Sequence, residues 1–374
     1  LEVRPIAFVP HKRRLDAHRV EYLKAINETM DYPYQSEDGR PLAPIQEKLH
    51  SKCVELSSIP YWVFTDCCTD SLQIAVSILT NENDIVIAPA YGWRAGANAI
   101  RFLNRRIKFI DIDYTGNICI EKLEEYASSL SNVKEEDKPK AILVIHHFGT
   151  IVNCTKIKYL FKKYGIDIKI IEDAAQSFYM RDSYSYIPGS SSDVTCYSFD
   201  FTKSPGTLGS GGAIATKDVE LYNKIYVCTA HGASKQKEVV NIGTKSYLDN
   251  VSCAVLLKEI QIFEELQYRK RKVEIATWYK DNLPYESIPG ENYIWARYTI
   301  LTPLKDSKDV LESLRKVGCL ALSMYREPLH KLPFLTSIIE ECPVAEDFSK
   351  RAIMIPCHQY LEQEELDRVK SAFK

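Results

Sequence analysis

From about Tyr61 the sequence alternates short runs of β-branched and apolar residues with longer stretches whose apolar residues recur at helical spacing. That alternation constrains the fold more than any other feature, because neighbouring parallel strands need a crossover between them and a helix is the usual one. Tyr61 to Thr65 reads as a strand and Asp70 to Leu79 as the helix behind it, with Leu72, Ala75, Val76 and Leu79 on one face. Ile85 to Ala88, Ile107 to Ile112, Ala141 to Ile145, Ile168 to Ile171, Val194 to Phe199 and Ala213 to Thr216 read as further buried strands. Thr155 to Tyr164 is an amphipathic helix, with Gly165 in place for a C-terminal cap. The turn Gly209 to Gly212 calls for positive φ or a close backbone approach. Ser131 to Lys140, charged and proline-containing, reads as a surface loop.

After Asp249 the pattern changes. A long helix runs through Leu266, the basic run Arg269 to Lys272 reads as a solvated helix face, Tyr293 to Leu301 is strand-like, and Val310 to Val317 and Gln363 to Phe373 are helical. The expected class is α/β. A large domain over residues 1–249 carries a mainly parallel sheet sandwiched by helices, and a smaller α+β domain covers residues 250–374.

Charge narrows the partners. The 48 basic and 50 acidic residues are mixed along the chain, for a net charge of −2, so no global field attracts nucleic acid or an anionic membrane. Any phosphate must be held locally. The eleven cysteines form no C-x-x-C pair and no His/Cys cluster at zinc spacing, which predicts reduced thiols and no metal. No apolar run approaches the ~18 residues of a membrane span. Residues 1–10, followed by His11 to Arg14, resemble neither a signal nor a transit peptide. A soluble, cytoplasmic protein is expected.

Chemistry gathers at strand ends. Ile168 to Ile171 runs into Glu172-Asp-Ala-Ala-Gln-Ser177, and in open α/β sheets ligands bind at the carboxyl ends of the strands. Cys196 to Lys203 is a second strand running into a loop, bringing the Ser198 hydroxyl and the Lys203 amine. A strand-end lysine and a strand-end carboxylate are what pyridoxal 5'-phosphate (PLP) chemistry requires. The lysine holds the cofactor as an imine, and the acid keeps the pyridine nitrogen protonated. Either residue alone would be ordinary, since a loop lysine is usually a solvated charge and a strand-end Asp a helix cap. Cys67-Cys-Thr-Asp70 adds backbone N–H groups and the Thr69 hydroxyl at a helix N-terminus, where an anion is favoured. In Pro89-Ala-Tyr-Gly-Trp93 an aromatic side chain follows a strand and can lie flat on a ring, although a lone Trp93 is more often core.

These stretches, with Gly92 to Asn98, Ile145 to Gly149, Gly211 to Ala213, His231-Gly232 and Ile355 to His358, resemble the DegT/DnrJ/StrS family of PLP-dependent sugar aminotransferases, of aspartate aminotransferase fold type I. The likeness runs from about Asp31 to Lys374. It implies Lys203 as the imine lysine, Asp173 on the pyridine nitrogen, Gln176 near the ring hydroxyl, Ser198, Thr69 and Cys68 at the phosphate, and Trp93 stacked on the ring. It further implies a homodimer with shared active sites, glutamate as amino donor, and a nucleotide-linked keto-deoxy sugar as acceptor, for bacterial surface polysaccharide (lipopolysaccharide) or natural-product sugars. Tyr325 and His330 fall where the family borders its substrate. Lys245 stands where an asparagine commonly reaches the neighbouring subunit's phosphate, and Cys67-Cys68 replaces the usual Ser-Gly. Two alternatives remain at this point. One is a sugar dehydratase of the same fold, which would carry histidine in place of Lys203. The other is a non-catalytic regulatory or binding homologue.

Overall fold

The computed structural model describes residues 5–31, 44–178, 186–288, 297–335 and 340–374. The chain opens with helices α1 (His11–Met30) and α2 (Pro44–Ser57), then alternates: β1 (Tyr61–Thr65), α3 (Cys68–Leu79), β2 (Ile85–Pro89), α4 (Ala95–Phe102), β3 (Arg106–Ile110), α5 (Ile120–Ser129), β4 (Pro139–Ile145), α6 (Cys154–Lys163) and β5 (Lys169–Asp173). β6 (Val194–Ser198), β7 (Gly212–Thr216) and α7 (Val219–Thr229) follow. The rest comprises α8 (Asn250–Glu265), α9 (Tyr268–Asn282), β8 (Tyr298–Leu301), α10 (Ser307–Lys316), α11 (Pro343–Arg351), β9 (Ala352–Ile355) and α12 (Gln363–Ser371).

The first seven strands form one sheet in the order β1-β7-β6-β5-β4-β2-β3. All pairings from β3 to β6 are parallel, and β7 alone runs against its neighbours β6 and β1. Both faces are covered, and the period of two divides each strand between them. In β4, Ala141, Leu143 and Ile145 face the cluster that contains α3 and α4, while Ile142 and Val144 face the one built with α5 and α6. The mainly parallel sheet sandwiched by helices is as the alternation predicts. β8 and β9 pair antiparallel in a separate small sheet.

Four details add to or correct the sequence reading. The start of α8, where the second unit was expected to begin, shares an apolar cluster with Leu49 of α2 and Trp62 and Phe64 of β1. The basic run is not solvated throughout: Lys272 is 4% exposed, because α9 packs against α8 and the C-terminal segment on the face that carries it. The strand-like stretch from Tyr293 begins outside the described residues, and its described part is β8. The N-terminal segment, counted with the first unit, pairs Ile6 with Cys319.

Candidate active site

The carboxyl ends of β1, β2, β4, β5 and β6 open on one cavity of about 320 Å³. Cys68, Thr69, Trp93, Asp173, Gln176, Ser198, Lys203 and Tyr325 all line it. Residues spread over more than half the chain therefore meet because parallel strands present their carboxyl ends to one side.

The lysine loop is held by backbone bonds. Phe199 N donates to Gly211 O at 2.8 Å, Thr207 N to Phe199 O at 2.8 Å, and Lys203 N to Asp200 O at 2.8 Å. The Asp200 carboxylate accepts from Thr202 N at 2.9 Å and Thr202 Oγ1 at 2.6 Å, closing the turn that aims Lys203. Burial, then the Arg297 charge, pushes the Lys203 amine below its ordinary pKa. Opposite it, burial pushes the Asp173 carboxyl up, opposed by the Ala175 N–H, which donates to Oδ1 at 3.0 Å, and by the Lys203 charge. Gln176 Oε1 accepts from Phe148 N at 3.2 Å, and the side chain also bonds the Tyr325 hydroxyl across the cavity.

The anion end lies at the start of α3. Cys67 contributes no side-chain cap there, so the first-turn N–H groups are available to an anion, next to the Thr69 and Ser198 hydroxyls. Gly212 makes this possible: a Cβ on it would come within 2.4 Å of the Cys67 carbonyl carbon and 2.6 Å of Cys68 N. The close approach predicted for this turn is thus to the α3 N-terminus. Ser246 locks the same corner, accepting from Asp66 N at 3.1 Å and donating to Asp70 at 2.7 Å.

Trp93 is not core but 48% exposed, with its ring centroid 6.1 Å from that of Tyr325 and the Arg94 guanidinium 4.6 Å away. Tyr325 sits at φ 55°, a left-handed conformation that a tyrosine adopts at a cost. His330 does not join the cavity lining: it is buried, with Nε2 3.3 Å from Glu346, a carboxylate that Lys331 also holds. Its place in the sequence is near the site, but its side chain is turned to that carboxylate. Lys245 is also outside the lining, exposed, with Nζ 5.1 Å from the Tyr247 ring.

Sequence reasoning missed three cavity groups and one support. His147, Arg297 and Asp200 line the cavity. His147 is held by Tyr91 O at 3.1 Å, and burial lowers its pKa to about 4, so the ring is neutral at pH 7. A Cβ at Gly92, whose φ is +151°, would meet its Nε2 at 2.8 Å. The support is Arg14 of α1, which donates to Thr207 O at 2.7 Å and Lys203 O at 3.4 Å. The only sequence signal for it was the helical spacing of Arg14, His18, Tyr22, Ala25 and Thr29, all buried.

The donor set fits a phosphorylated pyridine aldehyde: an amine for the aldehyde, an acid for the ring nitrogen, and a helix N-terminus with two hydroxyls for the phosphate. No cluster of His, Cys, Asp and Glu among the described residues could hold a metal. No described helix is long and apolar enough to cross a membrane.

The family model of the DegT/DnrJ/EryC1/StrS aminotransferases matches residues 24–374. The Pseudomonas aeruginosa protein named UDP-2-acetamido-2-deoxy-3-oxo-D-glucuronate aminotransferase is 30% identical over 333 residues, covering 86% of this chain and 88% of its own. The Escherichia coli protein named GDP-perosamine synthase is 25% identical, covering 91% of each chain. Among solved structures, a DegT DnrJ EryC1 StrS aminotransferase from Brucella abortus superposes with a TM-score of 0.88 at 24% identity, covering 98% of both chains.

Proposed function

The chain belongs to the DegT/DnrJ/EryC1/StrS aminotransferase family, and from that premise we propose that it moves an amino group from an amino acid, glutamate first, to a nucleotide-linked keto-deoxy sugar. The observation that carries this is the meeting of the Lys203 amine and the Asp173 carboxylate in one cavity at the strand ends. The cofactor of the family is PLP. When bound, it supplies an electron sink that stabilises negative charge on the carbon bearing the nitrogen.

The chain's own residues do the rest. Lys203 Nζ would anchor the cofactor and, once released, would carry the proton between the substrate carbon and the cofactor carbon in each half of the reaction. Burial favours that role by lowering the pKa of the amine below its ordinary value. Asp173 holds a proton at the ring nitrogen, and the α3 N-terminus with Thr69 and Ser198 fixes the phosphate. Gln176, which also bonds Tyr325, would meet the ring from one edge, and Trp93 would lie against one face.

The acceptor class is supported by the names of the relatives, which refer to UDP- and GDP-linked sugars. The product would serve a surface polysaccharide or a glycosylated natural product, made in the cytoplasm. The dimer follows the family's pattern, with Lys245 reaching the partner's phosphate as a point charge. Lys203 itself argues against the dehydratase reading, which requires histidine at that position.

The test is a panel of nucleotide-linked 3-keto and 4-keto sugars incubated with protein, PLP and glutamate, with products identified by mass and NMR. Amination of one member is the expected result. A protein that binds PLP through Lys203 yet aminates none of them refutes the acceptor class, and one that stays colourless with PLP favours the regulatory reading.

A further inference from the structure

A second cavity, of about 80 Å³, adjoins Lys203 and shares with the first a wall that includes Gln176, Ser198, Lys203 and Arg297. Lys272 of α9 and Phe8 of the N-terminal segment complete the part that matters here. The segment is fixed over the cavity: Ile6 pairs with Cys319, and His358 Nε2 donates to Ala7 O at 3.1 Å.

The charges in this wall do not balance. Arg14, Lys203, Lys272 and Arg297 line it, and no aspartate or glutamate among the described residues does. Arg297 makes one polar contact, to Met324 Sδ at 3.0 Å, and lies 4.6 Å from the Phe8 ring, with no carboxylate against it among the described residues. Lys272 shares the buried Glu259 with Arg14, 3.8 Å from that carboxylate, and with the Tyr22 hydroxyl that donates to it. With one carboxylate among the described residues shared by Arg14 and Lys272 and none against Arg297, the cluster carries excess positive charge, and its cost falls when a ligand brings negative charge. The volume admits a few waters, hence a carboxylate on a short stem and not a nucleotide.

We propose that this second cavity is a subsite for a substrate carboxylate, held by Arg297 and Lys272 while the rest of the substrate reaches Lys203 through the shared wall. The proposal rests on reading the first cavity as the amino-transfer site. A carboxylate of the amino donor and an acid group on the sugar acceptor share this chemistry, and the experiment separates them.

The experiment is calorimetric titration of the PLP-loaded protein with glutarate, with its neutral diamide, and with glucuronate, in the wild type and in Arg297→Gln, Lys272→Met and Arg297→Lys. One of the acids should bind the wild type, and about tenfold or more weakly in Arg297→Gln and Lys272→Met. Arg297→Lys should keep most of the affinity, and the diamide should not bind. The visible band of the bound cofactor should be the same in all four proteins, which separates loss of a ligand from loss of the fold. A response to glutarate assigns the subsite to the donor, and one to glucuronate assigns it to the acceptor. If neither acid binds the wild type, or if the affinities are unchanged in Arg297→Gln and Lys272→Met, the subsite does not exist. A protein that aminates a keto sugar yet gives that result loses only the subsite; one whose Lys203 never binds PLP loses the underlying reading.

Discussion

A lysine that must bond to an aldehyde needs a nitrogen that is free of partners and partly unprotonated. Burial and Arg297 lower the Lys203 pKa, and Asp200 and Thr202 fix the loop around it. Lys203→Ala should therefore abolish the visible absorbance of bound PLP and all turnover, with an unchanged circular dichroism spectrum. Full activity in that variant would end the assignment. At Asp173 the shift runs the other way. A carboxyl whose folded pKa is raised costs stability once the pH exceeds its unfolded value, and the cost reaches its full size above the folded pKa. A protonated ring nitrogen against it offsets that cost at neutral pH. Asp173→Asn should thus be stabilised less by PLP in a thermal melt than the wild type, while losing roughly a hundredfold or more in kcat. Equal melting shifts and near-normal turnover would reduce Asp173 to a cap on the following turn.

One element carries two acids with different tasks. Adjacent residues of β5 point to opposite faces, so Asp173 enters the cavity while Glu172 enters the structure behind it. There Glu172 accepts from Cys154 of α6 at 3.0 Å, Tyr186 at 3.1 Å, Ser192 and Thr195 each at 2.8 Å, and the Gly189 N–H, with His146 Nε2 3.4 Å away. Burial raises its pKa, but these bonds outweigh it and bring the carboxyl from 4.5 to about 2. A lowered carboxyl stabilises the fold above its unfolded value and loses that contribution as the pH falls from 4.5 towards 2. At ~1.4 kcal/mol per unit the contribution is on the order of 3 kcal/mol. Acid unfolding of Glu172→Gln should show a shallower loss of stability across that window than the wild type; parallel curves would assign the acid sensitivity elsewhere. A second element-level device is the contact between β7 and the start of α3. Gly212→Ala places a methyl 2.4 Å from the Cys67 carbonyl carbon, so backbone must move. Destabilisation of about 1–3 kcal/mol is expected, together with weaker PLP retention in dialysis, because the displaced turn carries the phosphate donors. A variant that melts lower but holds PLP as tightly would uncouple the turn from the phosphate.

At the scale of the whole molecule, the N-terminal segment and α1 tie the lysine loop to the C-terminal part. Arg13 pairs with Glu365 of α12 and donates to Tyr360 O at 2.6 Å, while Arg14, one residue on, reaches the Lys203 loop. The Lys245 loop is bonded through Ser246 to the phosphate end of α3, yet Lys245 itself does not line the cavity, its Nζ lying 5.1 Å from the Tyr247 ring. Sedimentation at micromolar protein should give twice the 42.8 kDa chain mass; an active monomer of 42.8 kDa would remove the shared site.

The strand-and-helix alternation, and the residues that follow each strand, were legible because they depend on local periodicity and on the rule that parallel strands end on one side. Asp173, Ser198 and Lys203 could be placed together from that rule alone. Arg14, Arg297 and Lys272 could not, since in sequence they look like the solvated cations around them. Whether a charge is buried depends on which distant segments pack over it, and Arg14 meets Lys203 across 189 positions. His330 fell the other way: near the site in sequence, it is turned aside by Glu346. The sequence by itself determined the sheet and which strand ends carry chemistry, because both follow from side-chain alternation. Only the tertiary structure decided which cations lose their water and face the cavity, because desolvation is a property of the packed neighbours and not of the residue.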